Sequence, residues 1–337
     1  MHKARFFDTL GNDTVKCHLC AHECTIDPGK RGICAVRENR AGTLYSLVYG
    51  HIISSNADPI EKKPLFHFLP GTRSYSIATV GCNLQCQHCQ NYDISQYPRR
   101  HKEDIPGKNL TPAQVVTKAL ASGSASIAYT YTEPTIFSEF AQDTATLARE
   151  KGLRNVFVSN GFMTEASSTA MAAVLDGDNI DLKSFSDSFY RKVCKAKLQP
   201  VLDTITRMKA LGVWIEVTTL LIPGLNDSDA ELRDIAQFLH TTGPEIPWHV
   251  TAFYPTYKML DRPPTPLATL RRAREIGLAA GLHYVYTGNI PGDPGENTFC
   301  PGCNQLLIER SGFAIRQNRI VDGVCPDCGA HIEGVWQ

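Results

Sequence analysis

The sequence predicts an α/β fold, a partial (βα) barrel flanked by two cysteine-rich segments. Short β-branched or aromatic runs alternate with longer amphipathic segments, at intervals of roughly 20 to 35 residues that are typical of βα units. Of the 12 cysteines, 11 are clustered at the two ends of the chain and after the first predicted strand, and Cys194 stands alone. With 337 residues, 42% of them hydrophobic, the chain is long enough to bury a large core.

The charge balance and the hydropathy of the sequence argue against some classes of function. Lys plus Arg and Asp plus Glu are equal at 34 each, so no global field draws the protein to nucleic acid or to an anionic membrane. The N-terminal stretch MHKARFFDTLGNDTVKC lacks an apolar leader, and no run of about eighteen apolar residues could span a bilayer. These features predict a cytoplasmic protein that neither enters a membrane nor binds nucleic acid.

Seven candidate strands follow one another through the central part of the chain. They are SYSIATV (74–80), SIAYTY (126–131), NVFVSN (155–160), NIDLKS (179–184), WIEVTTLLI (214–222), WHVTAFY (248–254) and HYVYTGN (283–289). Their spacing leaves room for a helix in each connection, which favours a parallel sheet.

Two of the connecting helices have recognisable ends. In TPAQVVTKALASG, Thr111 is a candidate N-cap, Pro112 occupies the first helical position and Gly123 terminates the helix. TEPTIFSEFAQDTATLAREKG repeats this plan, with Pro134 at its start and Gly152 at its end. Both segments are therefore predicted to be helices.

Turn-rich stretches suggest two boundaries. Residues 1–73 include DPGKRG and ADPIEKKPLFHFLPGT, do not follow the βα rhythm and are predicted to be an N-terminal extension with four cysteines. Residues 74–290 form the predicted core. After GNIPGDPGEN, residues 291–337 are predicted to be a small module that holds the last four cysteines.

Polar residues follow every predicted strand, where a parallel barrel places its active site. The residues at the strand ends are the cysteine loop, Thr132 and Glu133, Ser159 to Gly161, Asp181 and Lys183, IPGLND, YPTYK and TGN. Loops are commonly polar, so each motif alone is weak. Because a cysteine triplet follows the first strand, the set as a whole predicts a chemical site at this rim.

The triplet Cys82, Cys86 and Cys89 is one thiolate short of a closed tetrahedral site. If three thiolates hold a cluster of four irons, one iron remains open for a non-protein ligand, as in catalytic rather than structural metal sites. A zinc site completed by His88 or His101, or a redox-sensing group, are alternatives. A plain ferredoxin is disfavoured because its motif is CxxCxxC rather than CxxxCxxC.

The two flanking groups contain four cysteines each. CPGC and CPDCG supply Cys300, Cys303, Cys325 and Cys328, the double knuckle of a zinc ribbon, with rubredoxin-like iron as the alternative and a hairpin predicted between the knuckles. Cys17, Cys20, Cys24 and Cys34 have a spacing that suits either zinc or an auxiliary Fe–S cluster. His18 or His22 are candidate replacements for one thiolate.

CNLQCQHCQNYD after a strand resembles the cluster loop of radical S-adenosylmethionine (SAM) enzymes, and looks most like that of pyruvate formate-lyase activating enzyme. Over the whole chain, with both flanking cysteine groups, the sequence is similar to the radical SAM enzymes of the AmmeMemoRadiSam system. The resemblance implies a partial TIM-like barrel of the radical SAM type and an oxidoreductase. It also implies a [4Fe-4S] cluster held by Cys82, Cys86 and Cys89, whose fourth iron chelates SAM.

The resemblance also assigns cofactor contacts. His88 would lie against the adenine, and Glu133, within YTEP where many members have Gly-Gly-Glu, would accept a hydrogen bond from the SAM ammonium. Asn160 would contact the ribose or methionine, and Asp181 and Lys183 would lie at SAM or the cluster rim. No catalytic residue is assigned, since neither a Ser/His/Asp nor an HExxH constellation is present.

Several of these residues also have structural interpretations. Glu133 before Pro134 suits the N-terminus of a helix, and Asp181 and Lys183 suit a simple ion pair on one side of a strand. Cys194 is predicted to be a small buried side chain and His249 a satisfied core residue.

Two functions from different classes follow from the sequence. The first is a radical SAM enzyme that cleaves SAM reductively to a 5′-deoxyadenosyl radical and abstracts hydrogen from a substrate, with a protein substrate favoured by analogy with activases. It implies a reductant such as flavodoxin or ferredoxin and, from the name of the system, a link to Memo-type and Amme-type proteins. The alternative is a non-catalytic multi-zinc interaction scaffold.

Overall fold

Short antiparallel sheets build the N-terminal segment of the structure, a computed structural model that describes residues 1–101 and 104–337. The strands are β1 (His2–Lys3), β2 (Phe7–Thr9), β3 (Val15–Cys17), β4 (Thr25–Ile26), β5 (Arg37–Arg40), β6 (Thr43–Ser46) and β7 (His51–Ile52). They pair in the orders β1-β6-β5 and β2-β3-β4. Val15, Leu19, Ile26 and Leu44 form a small apolar core beneath them, and Cys17 is part of it.

A central sheet of eight strands forms the core of the described residues. The remaining strands of this part are β8 (Ser54–Pro59), β9 (Arg73–Ala78), β10 (Lys108–Asn109), β11 (Ser126–Tyr129), β12 (Arg154–Ser159), β13 (Gly177–Asp181), β14 (Trp214–Leu221), β15 (Trp248–Ala252) and β16 (Val285–Gly288). The order in the sheet is β16-β15-β14-β13-β12-β11-β9-β8, and β10 pairs with β7 instead.

The seven strands from β9 to β16 in this sheet run parallel, which confirms the predicted partial barrel. Among the described residues β8 and β16 are the two edges, so the barrel stays open. Strand residues such as Ile127, Val156 and Val217 are fully buried. Strands covered on both faces are built from β-branched and aromatic runs, and this is why the sequence revealed them.

One strand of the sheet lies within the predicted N-terminal extension. β8 pairs antiparallel with β9 over six residues, from Ser54 with Ala78 to Pro59 with Arg73. Its SSNADP sequence has no hydrophobic run, since it lies at the edge of the sheet, and an edge strand can contain a proline. The sequence therefore offered no strand signal for β8.

Helices cover the sheet. They are α1 (Tyr92–Ser95), α2 (Tyr97–Arg100), α3 (Pro112–Ala121), α4 (Ser138–Glu150), α5 (Glu165–Ala172), α6 (Asp187–Phe189), α7 (Gln199–Ala210), α8 (Asp229–Thr242) and α9 (Leu267–Ala279). A π-helical turn, Tyr190–Cys194, directly follows α6. No helix formed by the described residues is both long and apolar enough to cross a lipid bilayer.

Of the two helices predicted from their end signals, one begins where the sequence indicates and the other begins later. Thr111 caps α3 in a capping box with Gln114, as its sequence predicts. The second segment is not one helix: a 3₁₀ turn, Pro134–Phe137, precedes α4. The Glu133 carboxylate accepts the Thr135 N–H and closes this tight turn directly after β11.

The C-terminal module contains the predicted hairpin. Its strands are β17 (Thr298–Phe299), β18 (Leu306–Ser311) and β19 (Ala314–Asn318), and they pair in chain order. Arg310 fixes the module to the core: its buried guanidinium lies 4.2 Å over the Phe66 ring and donates to the Phe66 carbonyl at 2.9 Å. The position of the hairpin relative to the barrel is therefore defined.

Candidate active site

A cleft of about 510 Å³ opens at the carboxyl ends of the parallel strands, within the size range of small-molecule sites. Its lining comes from the cysteine loop after β9 and from the ends of β11 to β15. Residues that line it include Cys82, Cys86, His88, Cys89, Thr130, Tyr131, Asn160, Asp181, Lys183, Thr218 and Thr251. The structure therefore brings seven of the predicted site residues to one cavity, Lys183 among them, and adds Thr218 and Thr251 from two further strands.

The cysteine loop is held rigidly in place. Gln85 N–H donates to the Cys194 carbonyl at 2.9 Å, and Gln87 N–H donates to the Val193 carbonyl at 3.1 Å. The Arg99 guanidinium donates to the Cys82 carbonyl at 2.7 Å. These backbone contacts position the three thiols before any metal binds.

The thiols of the loop lie in a buried, hydrogen-bonding environment. Cys82 Sγ accepts the Leu84 N–H at 3.3 Å and the Asn160 side-chain amide at 3.4 Å. Cys89 Sγ lies 3.2 Å from Ser95 Oγ. Burial raises the pKa of the Cys82 thiol, so the thiolate form depends on a cation to bind it. N–H donors to a thiolate are also a means of tuning a metal centre.

The spacing of the three sulfurs does not suit a single metal ion. Within residues 1–101 and 104–337, only the C-terminal four cysteines have all their ligand atoms within 4.8 Å of one another. Thiolates that bind different irons of one cluster lie farther apart than the ligands of one ion. The triplet and its open cleft therefore fit a cluster with an accessible iron, and His101, stacked on Tyr97 at 4.3 Å, does not line the cleft.

His88 is a buried polar side chain without a partner. It is 6% exposed, lines the cleft, and its Nδ1 atom makes no hydrogen bond. Burial, together with Lys183, lowers the pKa of His88 to about 3, so the ring is neutral at pH 7. A neutral ring at the wall of a cavity is suited to contact an uncharged aromatic ligand.

Asp181 and Lys183 form an ion pair with an Nζ to Oδ2 distance of 2.8 Å, and both line the cleft. Burial opposes the charge of Lys183, but the neighbouring Asp181 carboxylate outweighs it and the pKa of Lys183 is raised. The ammonium therefore stays charged beside Cys86. Asp181 and Lys183 therefore form the ion pair that the sequence suggested, and this pair also lines the cleft.

Glu133 lies below the cleft rather than in its lining. It is fully buried, and its carboxylate accepts the N–H groups of Asn160 at 2.8 Å and Thr135 at 3.1 Å. Burial raises its pKa. The structure shows Glu133 as the cap of the 3₁₀ turn and as the support of Asn160, so the predicted contact with a ligand ammonium stays a prediction.

Asn160 connects this support to the cysteine loop. Its side-chain amide donates to Cys82 Sγ and, at 3.2 Å, to Asn83 Oδ1, and it lines the cleft. Asn160 therefore donates a hydrogen bond directly to the Cys82 sulfur, and its contact with a bound ligand stays a prediction.

Lys63 and Tyr131 form one wall of the cleft, and the sequence did not predict that Lys63 lies there. Lys63 is 2% exposed, pairs with Asp58 at 2.6 Å and lies 4.5 Å over the Tyr131 ring, whose hydroxyl donates to Asp58. Burial lowers the pKa of Lys63 to about 8, although Asp58 partly offsets it. The segment around Lys63 was interpreted as turns, and only the pairing of β8 with β9 brings it to the site.

The N-terminal cysteines face one small enclosed cavity. Its lining includes Cys17, Cys20, Cys24 and Cys34 together with Leu19, His22, Ile26, Ile33, Arg37 and Ile136. His18 bonds to Asp8 at 2.9 Å and does not line the cavity, whereas His22 lines it but its Nε2 lies 2.8 Å from the Asn83 carbonyl.

The C-terminal cysteines form a compact set. Cys300 and Cys328 sulfurs are 3.6 Å apart, and those of Cys303 and Cys325 are 3.7 Å apart. All four lie within 4.8 Å of one another, which is the spacing of ligands to one metal ion.

Two structural interpretations from the sequence are confirmed. His249 Nε2 lies 2.6 Å from Glu216, and both side chains are buried. Cys194 is fully buried and lies close to Cys86.

The sequence is similar to a known protein family and to individual proteins. Residues 76–239 match the family model described as Radical SAM superfamily. An uncharacterized protein of Methanocaldococcus jannaschii, MJ0808, is 46% identical over 336 residues, which cover 99% of both chains. The pyruvate formate-lyase-activating enzyme of Clostridium pasteurianum is 22% identical over 50% of this chain and 70% of its own.

A solved structure shares the fold. The crystal structure of Streptococcus suis SuiB bound to S-adenosylmethionine matches with a TM-score of 0.50 and 12% identity, over 68% of this chain and 53% of that one. At this identity the likeness concerns the fold alone.

Proposed function

The chain belongs to the radical SAM superfamily, and we propose that it is an enzyme of the activating type that abstracts hydrogen from a protein substrate. The cofactors would be SAM and a [4Fe-4S] cluster. Together they supply a one-electron cleavage of the sulfonium that yields a 5′-deoxyadenosyl radical. Since the family consists of enzymes, the multi-zinc scaffold is set aside.

One observation carries the proposal: three thiols, those of Cys82 and Cys86 buried and that of Cys89 half-buried, line a cleft of about 510 Å³, and their spacing exceeds that of ligands to a single ion. Cys82, Cys86 and Cys89 would hold three irons. The open side of the cleft leaves space for a nucleoside-sized ligand next to them.

Side chains of the cleft have matching roles in this proposal. The neutral ring of His88 would lie against the adenine. Asn160 would orient the ribose or methionine part of SAM while its amide donates to Cys82. The paired Asp181 and Lys183 would present one charge of each sign to the zwitterionic methionine end. Glu133 would act through Asn160, with the SAM ammonium as its predicted second contact.

The rim of the cleft favours a macromolecular substrate. Phe313, at the tip of the C-terminal hairpin, lines the cleft and is 53% exposed. Tyr254 is 48% exposed and donates to the carbonyl of Asn289, which also lines the cleft. Exposed aromatic side chains at a cavity mouth are typical of surfaces that bind another protein. Memo-type and Amme-type proteins are the candidate partners, and a flavodoxin or ferredoxin is the candidate reductant.

The direct test is reductive SAM cleavage. Anaerobically reconstituted protein, reduced with dithionite, should convert SAM to 5′-deoxyadenosine and methionine, followed by mass spectrometry. Cys86→Ser should abolish product, because one iron loses its ligand, while Cys194→Ala should keep its iron and its activity. Product formation by Cys86→Ser at the wild-type rate, or none by any preparation that contains iron and sulfide, would contradict the proposal.

The substrate is tested with a uniformly deuterated candidate partner protein and unlabelled SAM. Deuterium in the 5′-deoxyadenosine product would identify the partner, because the 5′-deoxyadenosyl radical retains the atom that it abstracts. Deuterium transfer from deuterated small molecules only would exclude a protein substrate.

A further inference from the structure

The cavity of the N-terminal cysteines differs from the compact C-terminal site. The four C-terminal sulfurs lie within 4.8 Å of one another, but in the described part of the chain no group of three or more N-terminal thiols does so. Zn–S bonds of about 2.3 Å in a tetrahedron place the sulfurs about 3.8 Å apart. The N-terminal thiols face one cavity without this spacing, and in this they match Cys82, Cys86 and Cys89.

The second observation is an unpartnered donor. Arg37 is 1% exposed and lines the cavity, and its two terminal nitrogens bind Glu139 at 3.0 and 2.8 Å. Its Nε atom makes no hydrogen bond, although a buried donor without a partner is costly. A bound anionic group with acceptor sulfurs in the cavity would satisfy this atom, and the Glu139 pairing holds it in place.

We propose that Cys17, Cys20, Cys24 and Cys34 hold a second [4Fe-4S] cluster, and that this cluster conducts electrons to the site at Cys82. Four thiolates saturate all four irons, so this cluster has no open position for chemistry. None of the four cysteines lines the large cleft; they face a separate, enclosed cavity. A substrate anchor is therefore disfavoured and electron transfer remains.

The two sites are neighbours through the backbone. A Cβ atom on Gly81 would lie 3.4 Å from the Cys34 carbonyl oxygen, and Gly81 directly precedes Cys82. Arg99 donates to the carbonyls of both Ile33, at 2.9 Å, and Cys82, at 2.7 Å. The residues next to a ligand of one cluster thus contact those next to a ligand of the other.

The electron balance is simple. A reduced one-electron carrier of the ferredoxin or flavodoxin class gives one electron to the N-terminal cluster. The cluster is reoxidised when that electron passes to the cluster at Cys82, and no proton or covalent bond changes. This role rests on the proposed function, but the identity of the N-terminal metal does not.

Metal analysis tests the identity. Reconstituted wild-type protein should contain about eight irons and about one zinc per chain, against about four irons and about two zincs if the N-terminal site binds zinc. Cys20→Ser/Cys24→Ser should lose about half of the iron and keep its zinc. A loss of zinc with the iron unchanged would overturn the proposal.

A second variant keeps the test valid if the first fails to fold. Cys82→Ser/Cys86→Ser/Cys89→Ser leaves the N-terminal site intact, and should retain about four irons and show the electron paramagnetic resonance signal of a reduced [4Fe-4S] cluster. A colourless variant with about two zincs per chain would overturn the proposal, whatever the activity toward SAM.

The electron route has its own readout. In Cys20→Ser/Cys24→Ser, reduction of the remaining cluster by reduced ferredoxin should slow at least about tenfold, because the entry point is lost, while reduction by dithionite stays at the wild-type rate. Equal slowing with both reductants, or no slowing, would refute the route and leave the metal assignment unaffected.

Discussion

Replacement of Cys328 by serine should release a zinc ion from the C-terminal module. The sulfur pairs at 3.6 and 3.7 Å are within about 0.2 Å of the spacing that four Zn–S bonds require. A metal can therefore bind with hardly any movement of the module. Serine keeps the size of the side chain but removes the thiolate.

The size of the effect follows from how little else holds the module together. Leu307, Ile308 and Ile332 are its fully buried aliphatic side chains. At about 1.5 to 3 kcal/mol each they contribute roughly 5 to 9 kcal/mol of burial. A structural zinc contributes about 10 to 16 kcal/mol, so the metal is the larger contribution and its loss should unfold the hairpin locally.

The assay combines metal content with limited proteolysis. Zinc should fall from about one per chain to near zero in Cys328→Ser, and new cleavage should appear within residues 298–337. Cys328→His is the matched control, because histidine is also a zinc ligand and residue 328 is exposed enough to accept it. It should restore both the zinc and the protection.

Two results would refute this reasoning. If Cys328→Ser kept its zinc and its resistance to protease, the four sulfurs would not be the metal site. If the wild-type module contained iron in place of zinc, the rubredoxin-like alternative would be correct.

Three further predictions concern the cleft. Gly81→Ala should lower the iron content several-fold, because the new Cβ would lie 2.8 Å from Val36 at a φ of +102°. Gly212→Ala is the control, because Gly212 also has a positive φ, +83°, but has open space around it. Equal iron content in both variants would contradict this prediction. Phe313→Ala should raise the KM for a protein substrate and leave SAM cleavage without substrate unchanged; an unchanged KM would exclude the hairpin tip from substrate binding. Lys63 lines the cleft, and we expect its ammonium to attract the carboxylate of SAM. SAM affinity, measured by equilibrium dialysis, should then fall as pH rises through about 8, where Lys63 loses its charge, and Lys63→Arg should abolish this fall; a fall that persists in Lys63→Arg would assign it to another group.

The parallel strands and the cluster loop were predictable because their signals are local. β-branched runs such as NVFVSN are buried on both faces of the sheet, and the loop motif is contiguous from Cys82 to Cys89. The zinc-ribbon spacing is equally local, since two CxxC turns meet across one hairpin.

Other features depend on distant parts of the chain and were not predictable. Lys63 reaches the cleft only because β8 pairs with β9, and Phe313 only because Arg310 docks the hairpin on Phe66. The second predicted helix is present as α4, but its first turn was not predictable: Glu133 closes a 3₁₀ turn there and contacts Asn160, which follows the next strand.

The sequence by itself determined the candidate ligands: which cysteines are grouped, and that one group lacks a fourth thiolate. Only the tertiary structure decided their spacing, which separates the compact C-terminal site from the two wider ones, and showed that the N-terminal site adjoins the loop of Cys82. The physical reason is that residue type and local spacing set which atoms can bind a metal. The distances between those atoms depend on how separate segments pack, and the metal that fits depends on those distances.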